Sequence, residues 1–579
     1  MNRRTAFAAR LVVLGIVSLA FTGWNFVSAA EVCSADNWCW RNPLPQGNSL
    51  FSVWGSGSSD AWAVGDGRTI LHWDGSAWTS ALSGTLDYLR GVWGSGASDV
   101  WVVGLSGTIL HWDGLGWMSV SSGTMESLYA VWGSEVSDVW AVGDAGTILH
   151  WDGNAWTNTL SGTMDYFRGV WSSGASDVWA VGYTGTIFHW DGSGWTSFPS
   201  GTTNHLFGVW GSAASDVWAV GGAGTIVHWD GGGWTSFPSG TMGTIFGVWG
   251  SGASDVWALG DGGILLHWDG SAWTSVGGGG TIFGVWGSGG NDVWAVGLFG
   301  TILHWDGSAW TSVSSFIGMG NLFGIWGSGA ADVWAVGVIG TILHWDGSVW
   351  ASVLSGMTNS LNGVWGSEAS DVWTVGAAGT ILHWDGSAWT NVPSSTTNNL
   401  GGVWGSEASD VWAVGDAGTI LHQDGNAWTS VPSGTTNSIR GVWGSEATDV
   451  WAVGDAGTTL HWDGNAWTSV PSGTTNSLRG VWGSGANDVW AVGDAATLLH
   501  WDGRVWTNLR IGLSFRGVWG SGASDVWAVA DIGFIMHWDG GGWTSFSSGT
   551  SNSLYGVWGS GTSDVWAVGF GGTVLERRP

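Results

Sequence analysis

A tryptophan followed by Gly, or once by Ser, returns fourteen times, at positions 54, 93, 132, 171, 210, 249, 286, 326, 365, 404, 443, 482, 519 and 558. The interval is 39 residues, except for two of 37 (ending at Trp286 and Trp519) and one of 40 (ending at Trp326). A repeat of this length is one supersecondary unit that must bury its apolar surface against its neighbours. Each unit reads as four short strands; the copy near Leu478 runs "LRGVWG", "DVWAVG", "ATLLHW" and "VWTNL". Gly, Ser and Asn separate them, as turns require. The third and fourth are joined by Asp-Gly, a strong hairpin signal because Gly accepts positive φ. "VWAVG" is apolar on both faces, so each sheet is packed between other sheets. The expected fold is all-β, a β-propeller of fourteen four-stranded blades. A flat stack needs polar capping repeats, and the end units here look like the middle ones.

The last unit stops at "GTVLERRP" without a fourth strand. "WRNPLPQGNSLFSVW" (Trp40 to Trp54) aligns with "WTSVPSGTTNSLRGVW" (Trp467 to Trp482), so a strand from the start of the chain can complete the final blade. Propellers usually have about 4–8 blades, which favours two tandem seven-bladed rings divided within "SSFIGMGN" (Ser314 to Asn321). The expected division is a signal peptide at 1–30, a first propeller at 31–316 (the N-terminal closing strand plus repeats 1–7) and a second at 317–579 (repeats 8–14). One large closed ring, completed by the N-terminal strand, stays open as the alternative.

"VWAVGDAGTILHWDGNAW" (Val139 to Trp156) resembles the repeats of Asp-box propellers and of the photosystem II assembly-factor type. "WDGSAWTSV" resembles the kelch hairpin. The resemblance, to bacterial exported propeller repeat proteins, covers about residues 40–579 and implies architecture. The turn is shorter than a full Asp box, and His replaces the Ser or Thr expected two residues before Asp. The glycosidase and lectin functions known among such propellers are therefore not carried onto these positions.

All 14 basic residues are Arg, against 44 acidic residues, for a formal charge of −30. Such a surface repels nucleic acid and anionic membranes, whose binding needs clustered cations. Arg3, Arg4 and Arg10 precede the apolar run "LVVLGIVSLAF", and "VSAA" ends at Ala30: a signal peptide, implying export to the periplasm, cell surface or medium. No later run reads as a transmembrane segment. Cys33 and Cys39, the only cysteines, are expected to form one local disulfide in an oxidising compartment.

The His of the "HW" or "HQ" strand, thirteen from His72 to His537, lie too far apart in sequence to gather a metal. They read as groups hydrogen-bonded inside each blade, to the Asp of "SDVW" or to a turn carbonyl, resembling the networks of WD-type blades. The Asp of "WDG" reads as a turn cap, and the repeated Trp as inter-blade core. No metal or cofactor is expected, and no serine-hydrolase, phosphate-loop or zinc-protease motif occurs.

Function is sought where copies differ. The turn in "VGxxG" varies, and so does the position three residues before the "VWG" Trp, which holds Arg90, Tyr129, Arg168, Arg440, Arg479, Arg516 and Tyr555. Both lie on one face of the disc, and loops on a rigid scaffold are where binding surfaces are built. These seven residues are the expected ligand-binding set. Repeat uniformity argues against a few unlike groups converging on one catalytic point. The expected function is a monomeric, non-enzymatic exported scaffold binding a protein or carbohydrate. The alternative is a propeller glycoside hydrolase or lyase on acidic polysaccharide, with Arg holding carboxylates and Glu126, Asp87 or Asp165 as acid or base.

Overall fold

The structure, a computed structural model, describes residues 33–577 apart from 35, 43–45, 82, 86, 160, 278–279, 313–319, 426, 510 and 512. The expected signal peptide and the expected boundary at 316/317 lie outside the described residues.

The first strand, β1 (Trp38–Asn42), stands ahead of the repeats. The first unit then supplies β2 (Leu50–Gly57), β3 (Asp60–Gly65), β4 (Ile70–Trp73) and β5 (Trp78–Ala81). They form one antiparallel sheet in the order β2-β3-β4-β5, and the described residues hold fourteen such four-stranded sheets. Ala61 to Val64 of β3 are at most 2% exposed, as a strand apolar on both faces demands.

Neighbouring blades interlock through aromatic rings. Trp62 stacks on His72 of its own blade at 4.0 Å and meets Trp112 and Trp117 of the next blade at 5.2 and 5.3 Å. The Trp117 ring is edge-on, 87° from that of Trp62, a favoured aromatic arrangement. The buried Trp117 Nε1 has no hydrogen-bond partner. On the channel side, a Cβ on Gly55 would come within 2.7 Å of the Trp286 indole, so only Gly permits that approach.

These contacts also show how the circuit closes. Trp294 of blade 7 packs on Trp73 and Trp78 of blade 1 at 5.1 and 5.5 Å. Trp566 of blade 14 packs on Trp345 and Trp350 of blade 8, each at 5.6 Å. The inner strand β2 adjoins Ile282–Gly289 of blade 7, and Leu322–Gly329 of blade 8 adjoins Leu554–Gly561 of blade 14. The fold is two seven-bladed rings, and a single large ring is excluded.

The N-terminal strand corrects the expected division. β1 pairs with Val574–Arg577, so it is the outer strand of blade 14, in the second ring rather than the first. β1 covers the sheet edge that Val574–Arg577 would otherwise leave open. Trp38 takes the outer-strand position and meets Trp527 of blade 13 at 5.8 Å and 75°. Glu576 stands where the other blades have His and pairs with Arg41 of β1. Cys33 and Cys39 are joined by a disulfide. No helix among the described residues is long and apolar enough to cross a membrane.

Candidate functional site

The repeated His is held in the same way throughout. In blade 1, His72 Nε2 lies 2.7 Å from Asp60 Oδ1, and Ser56 Oγ donates to Asp60 Oδ2 at 2.6 Å. The His–Asp contact recurs in all thirteen copies, from His72 to His537. Burial works to raise the Asp138 carboxyl, but hydrogen bonds from His150 and Ser134 outweigh it and leave the pKa lowered. A carboxylate spent on His and Ser in thirteen blades is structural. Among the described residues no group of three or more His, Cys, Asp or Glu could hold a metal ion. The "WDG" Asp caps its turn: Asp74 Oδ1 accepts from the Ser76 and Ala77 amides at 2.8 and 2.9 Å.

The seven sequence-selected residues lie on inner strands, one per blade. In the second ring, Arg440 holds Asp455 through Nε and NH2 at 3.2 and 2.7 Å, and Asp416 through NH1 at 3.0 Å. Arg479 and Arg516 clasp Asp494 and Asp531 in the same two-pronged way. These guanidiniums are occupied by the protein's own carboxylates. Tyr555 packs on Phe323 at 5.7 Å. In the first ring, Arg168 is sandwiched by Tyr129 and Tyr183 at 3.6 and 4.4 Å and bonds Asp144 at 3.0 Å. Arg90 lies over Phe51 at 4.0 Å, and its buried Nε has no hydrogen-bond partner. The difference is one of spacing: the Asp that serves Arg440 fifteen residues on is Leu105 for Arg90. The seven therefore form two separate mouths rather than one cluster.

A different constellation lies between the rings. A cavity of about 590 Å³ is walled by Gly67, Arg68, Asp87, Tyr88, Leu105 and Ser106 of blades 1 and 2, by Ile532–Phe534 and Ser545–Ser551 of blade 13, and by Asp36 of the N-terminal segment. Four other hollows take their walls from neighbouring blades of one ring. Asp36 is held to the second ring, its Oδ2 accepting from the Ser547 amide at 2.5 Å. Asp87 Oδ2 accepts from Thr108 Oγ1 at 2.8 Å. Asp165 does the same with Thr186 in blade 4, at 3.1 Å, but is not among the residues lining this cavity, and neither is the exposed Glu126.

Two residues of this wall put large side chains on a left-handed turn that every blade shares. Arg68, at φ 65°, stands where twelve copies carry a left-handed Gly and one carries Ala496, and Ile532, at φ 55°, puts a β-branched side chain at the middle position that is left-handed in every blade. Such conformations cost a non-Gly residue on the order of 1–3 kcal/mol. Nothing in the structure explains the similar Ile339. Arg68 was legible as the one charged residue in the last position of "VGxxG". Asp36 precedes the repeats, so copy-to-copy comparison could not expose it.

No protein-family model matches the chain, and no curated protein does. Among solved structures, a GH74 enzyme of Niastella koreensis aligns with a TM-score of 0.66 and 15% identity, over 93% of this chain and 99% of its own. The GH74 xyloglucanase from Xanthomonas campestris aligns at 0.64 and 12%, over 94% of this chain and 100% of its own. YCF48 bound to a D1 peptide covers 45% of this chain at a TM-score of 0.40. The likeness is one of fold. It corrects the expectation of a non-enzymatic scaffold, because the same plan along nearly the whole chain is the plan of GH74 enzymes. Uniform blades do not preclude a catalytic point when unlike groups meet between rings.

Proposed function

We propose that the chain is an exported glycoside hydrolase that cuts a neutral polysaccharide in the groove between its rings. The observation that carries this reading is the meeting of Asp36 and Asp87, from different parts of the chain, on one inter-ring cavity. Glycoside hydrolysis requires a pair of carboxyl groups flanking the scissile bond, one to protonate the leaving oxygen and one to act on the anomeric carbon or a water. Tyr88 supplies an apolar ring against which a sugar face can lie, and Arg68 supplies donors for hydroxyls. The whole-chain fold likeness to a xyloglucanase supports a neutral glucan as substrate.

An acidic polysaccharide fits less well. The chain carries a formal charge of −30, and Arg168, Arg440, Arg479 and Arg516 are each engaged by an Asp of the protein. Arg90 is retained from the seven as a ligand contact, beside the Asp66 turn whose next residues wall the groove. The signal peptide, the monomeric state and the division into residues 46–312 for the first ring and 320–577 with 33–42 for the second belong to the same proposal. Incubation with xyloglucan and mixed-linkage glucan, alongside polygalacturonate, should release reducing ends from the neutral polymers only. Cleavage of polygalacturonate alone would reverse the substrate assignment.

A further inference from the structure

The residue two places before the inner strand is Asn in seven of the fourteen blades, and it has one local duty. In blade 5, Asn204 Nδ2 donates to Thr225 Oγ1 at 2.8 Å, tying the incoming loop to its own turn. Asn359, Asn398, Asn437, Asn476 and Asn552 repeat the bond. This duty uses only one hydrogen of the amide.

Asn48 is the blade-1 member of the series, and its remaining groups are taken up across the ring boundary. Its Nδ2 donates to Thr69 Oγ1 at 2.9 Å, the repeat bond, and also to the Gly549 carbonyl of blade 13 at 2.9 Å. Its Oδ1 accepts from Thr550 Oγ1 at 2.7 Å. Asn48 is 2% exposed and Thr550 9%. Gln46, itself buried, donates through Nε2 to the Asn48 carbonyl at 3.1 Å and fixes the approach of the chain. A buried amide with its donors and acceptor satisfied from two bodies holds them in one geometry, because breaking any bond strands a polar group away from water.

We infer that Asn48 is a positioning residue: a clasp that fastens the first ring to the second and sets the span of the inter-ring groove. Gly549 and Thr550 line that groove, as does Gly67, whose Cβ, if present, would lie 2.7 Å from Asn48 Nδ2. Phe299 of blade 7 and Phe570 of blade 14, with ring centroids 5.6 Å apart, form a second ring-to-ring contact. Two fastenings leave little freedom for the faces to separate. The catalytic consequence rests on the hydrolase reading; the clasp itself does not.

The repeat provides its own controls. Asn48→Asp keeps the blade bond, since Thr108 donates to Asp87 at the equivalent position, but sets a carboxylate against the Gly549 carbonyl. Asn204→Asp makes the same change where no second ring is present. Asn48→Asp should raise the radius of gyration in solution scattering and speed amide exchange at residues 548–550 roughly tenfold, the effect of losing one buried hydrogen bond. Asn204→Asp should do neither. If Asn48→Asp does not fold, Thr550→Val removes the same clasp from the other side. Thr474→Val is its control, because Thr474 caps Asn476 as Thr550 caps Asn552. Equal scattering and exchange for each variant and its control overturn the clasp. If the protein hydrolyses glucan, the clasp variants should raise KM more than they lower kcat. If it hydrolyses nothing, scattering and exchange still decide the clasp, and only the hydrolase reading falls.

Discussion

At the residue scale, the structure separates positions that the repeat makes look alike. Gly464, at φ 87° in a "WDG" turn, has the Thr448 methyl 2.9 Å from where a Cβ would sit. Gly464→Val should therefore destabilise by about 1–3 kcal/mol through backbone strain, whereas Ala456→Gly, at φ 55° in the variable turn, should be neutral or slightly stabilising. Thermal melting of the two variants checks the contrast. Asp455, in the same variable turn, is not dispensable as free variation would imply, because Arg440 holds its carboxyl below the usual range. Changing Arg440, Arg479 and Arg516 together to Ser removes the Arg partners of Asp416, Asp455, Asp494 and Asp531. That triple variant should lose on the order of 1 kcal/mol per partly buried pair, with the deficit shrinking in high salt as like-charge repulsion is screened. A triple variant as stable as the parent at low salt would contradict this. The motif type of each residue was legible; its partner was not, because an Arg at one repeat position pairs with an Asp fifteen residues on that only some copies possess.

At the element scale, the four strands and the Asp-Gly hairpin were legible because polarity, β-branching and turn residues all agreed. The "WDG" turns also set the acid limit. Hydrogen bonds from the Ser76 side chain and the Ala77 and Ser76 amides hold Asp74 at about 2 rather than 3.8, and Asp191, Asp269, Asp306, Asp346 and Asp385 are held similarly at about 2. Between those values the unfolded chain binds more protons than the folded one, so stability is retained above about pH 4 and lost as pH falls toward 2. Circular dichroism across pH 2–5 should show unfolding concentrated below pH 4; a loss centred above pH 5 would assign it to other groups. The N-terminal strand was legible by alignment as a closing element, but its ring depended on three-dimensional closure. Trp38, fully buried against Trp527, predicts that Trp38→Ala costs about 3–5 kcal/mol. Melting or hydrogen exchange would place that loss in blades 13 and 14.

At the scale of the whole molecule, the repeat specifies blades and the count of blades, while the site arises where two rings and a non-repeated segment meet. This is why Asp87 could be marked from sequence and Asp36 could not. The same meeting makes the central claim testable with a matched pair. Asp87→Asn preserves the local cap, since Asn204 bonds its Thr at 2.8 Å, and removes only the charge that faces the groove. Asp165→Asn makes the same substitution two blades away, at a residue that does not line the cavity. Asp36→Asn retains an oxygen for the Ser547 amide. Reducing-end release from xyloglucan should fall at least about 100-fold in Asp36→Asn and in Asp87→Asn, as loss of an acid–base group implies, and stay near the parental rate in Asp165→Asn. Parental activity in both groove variants, or an equal loss in all three, would contradict a catalytic groove between the rings.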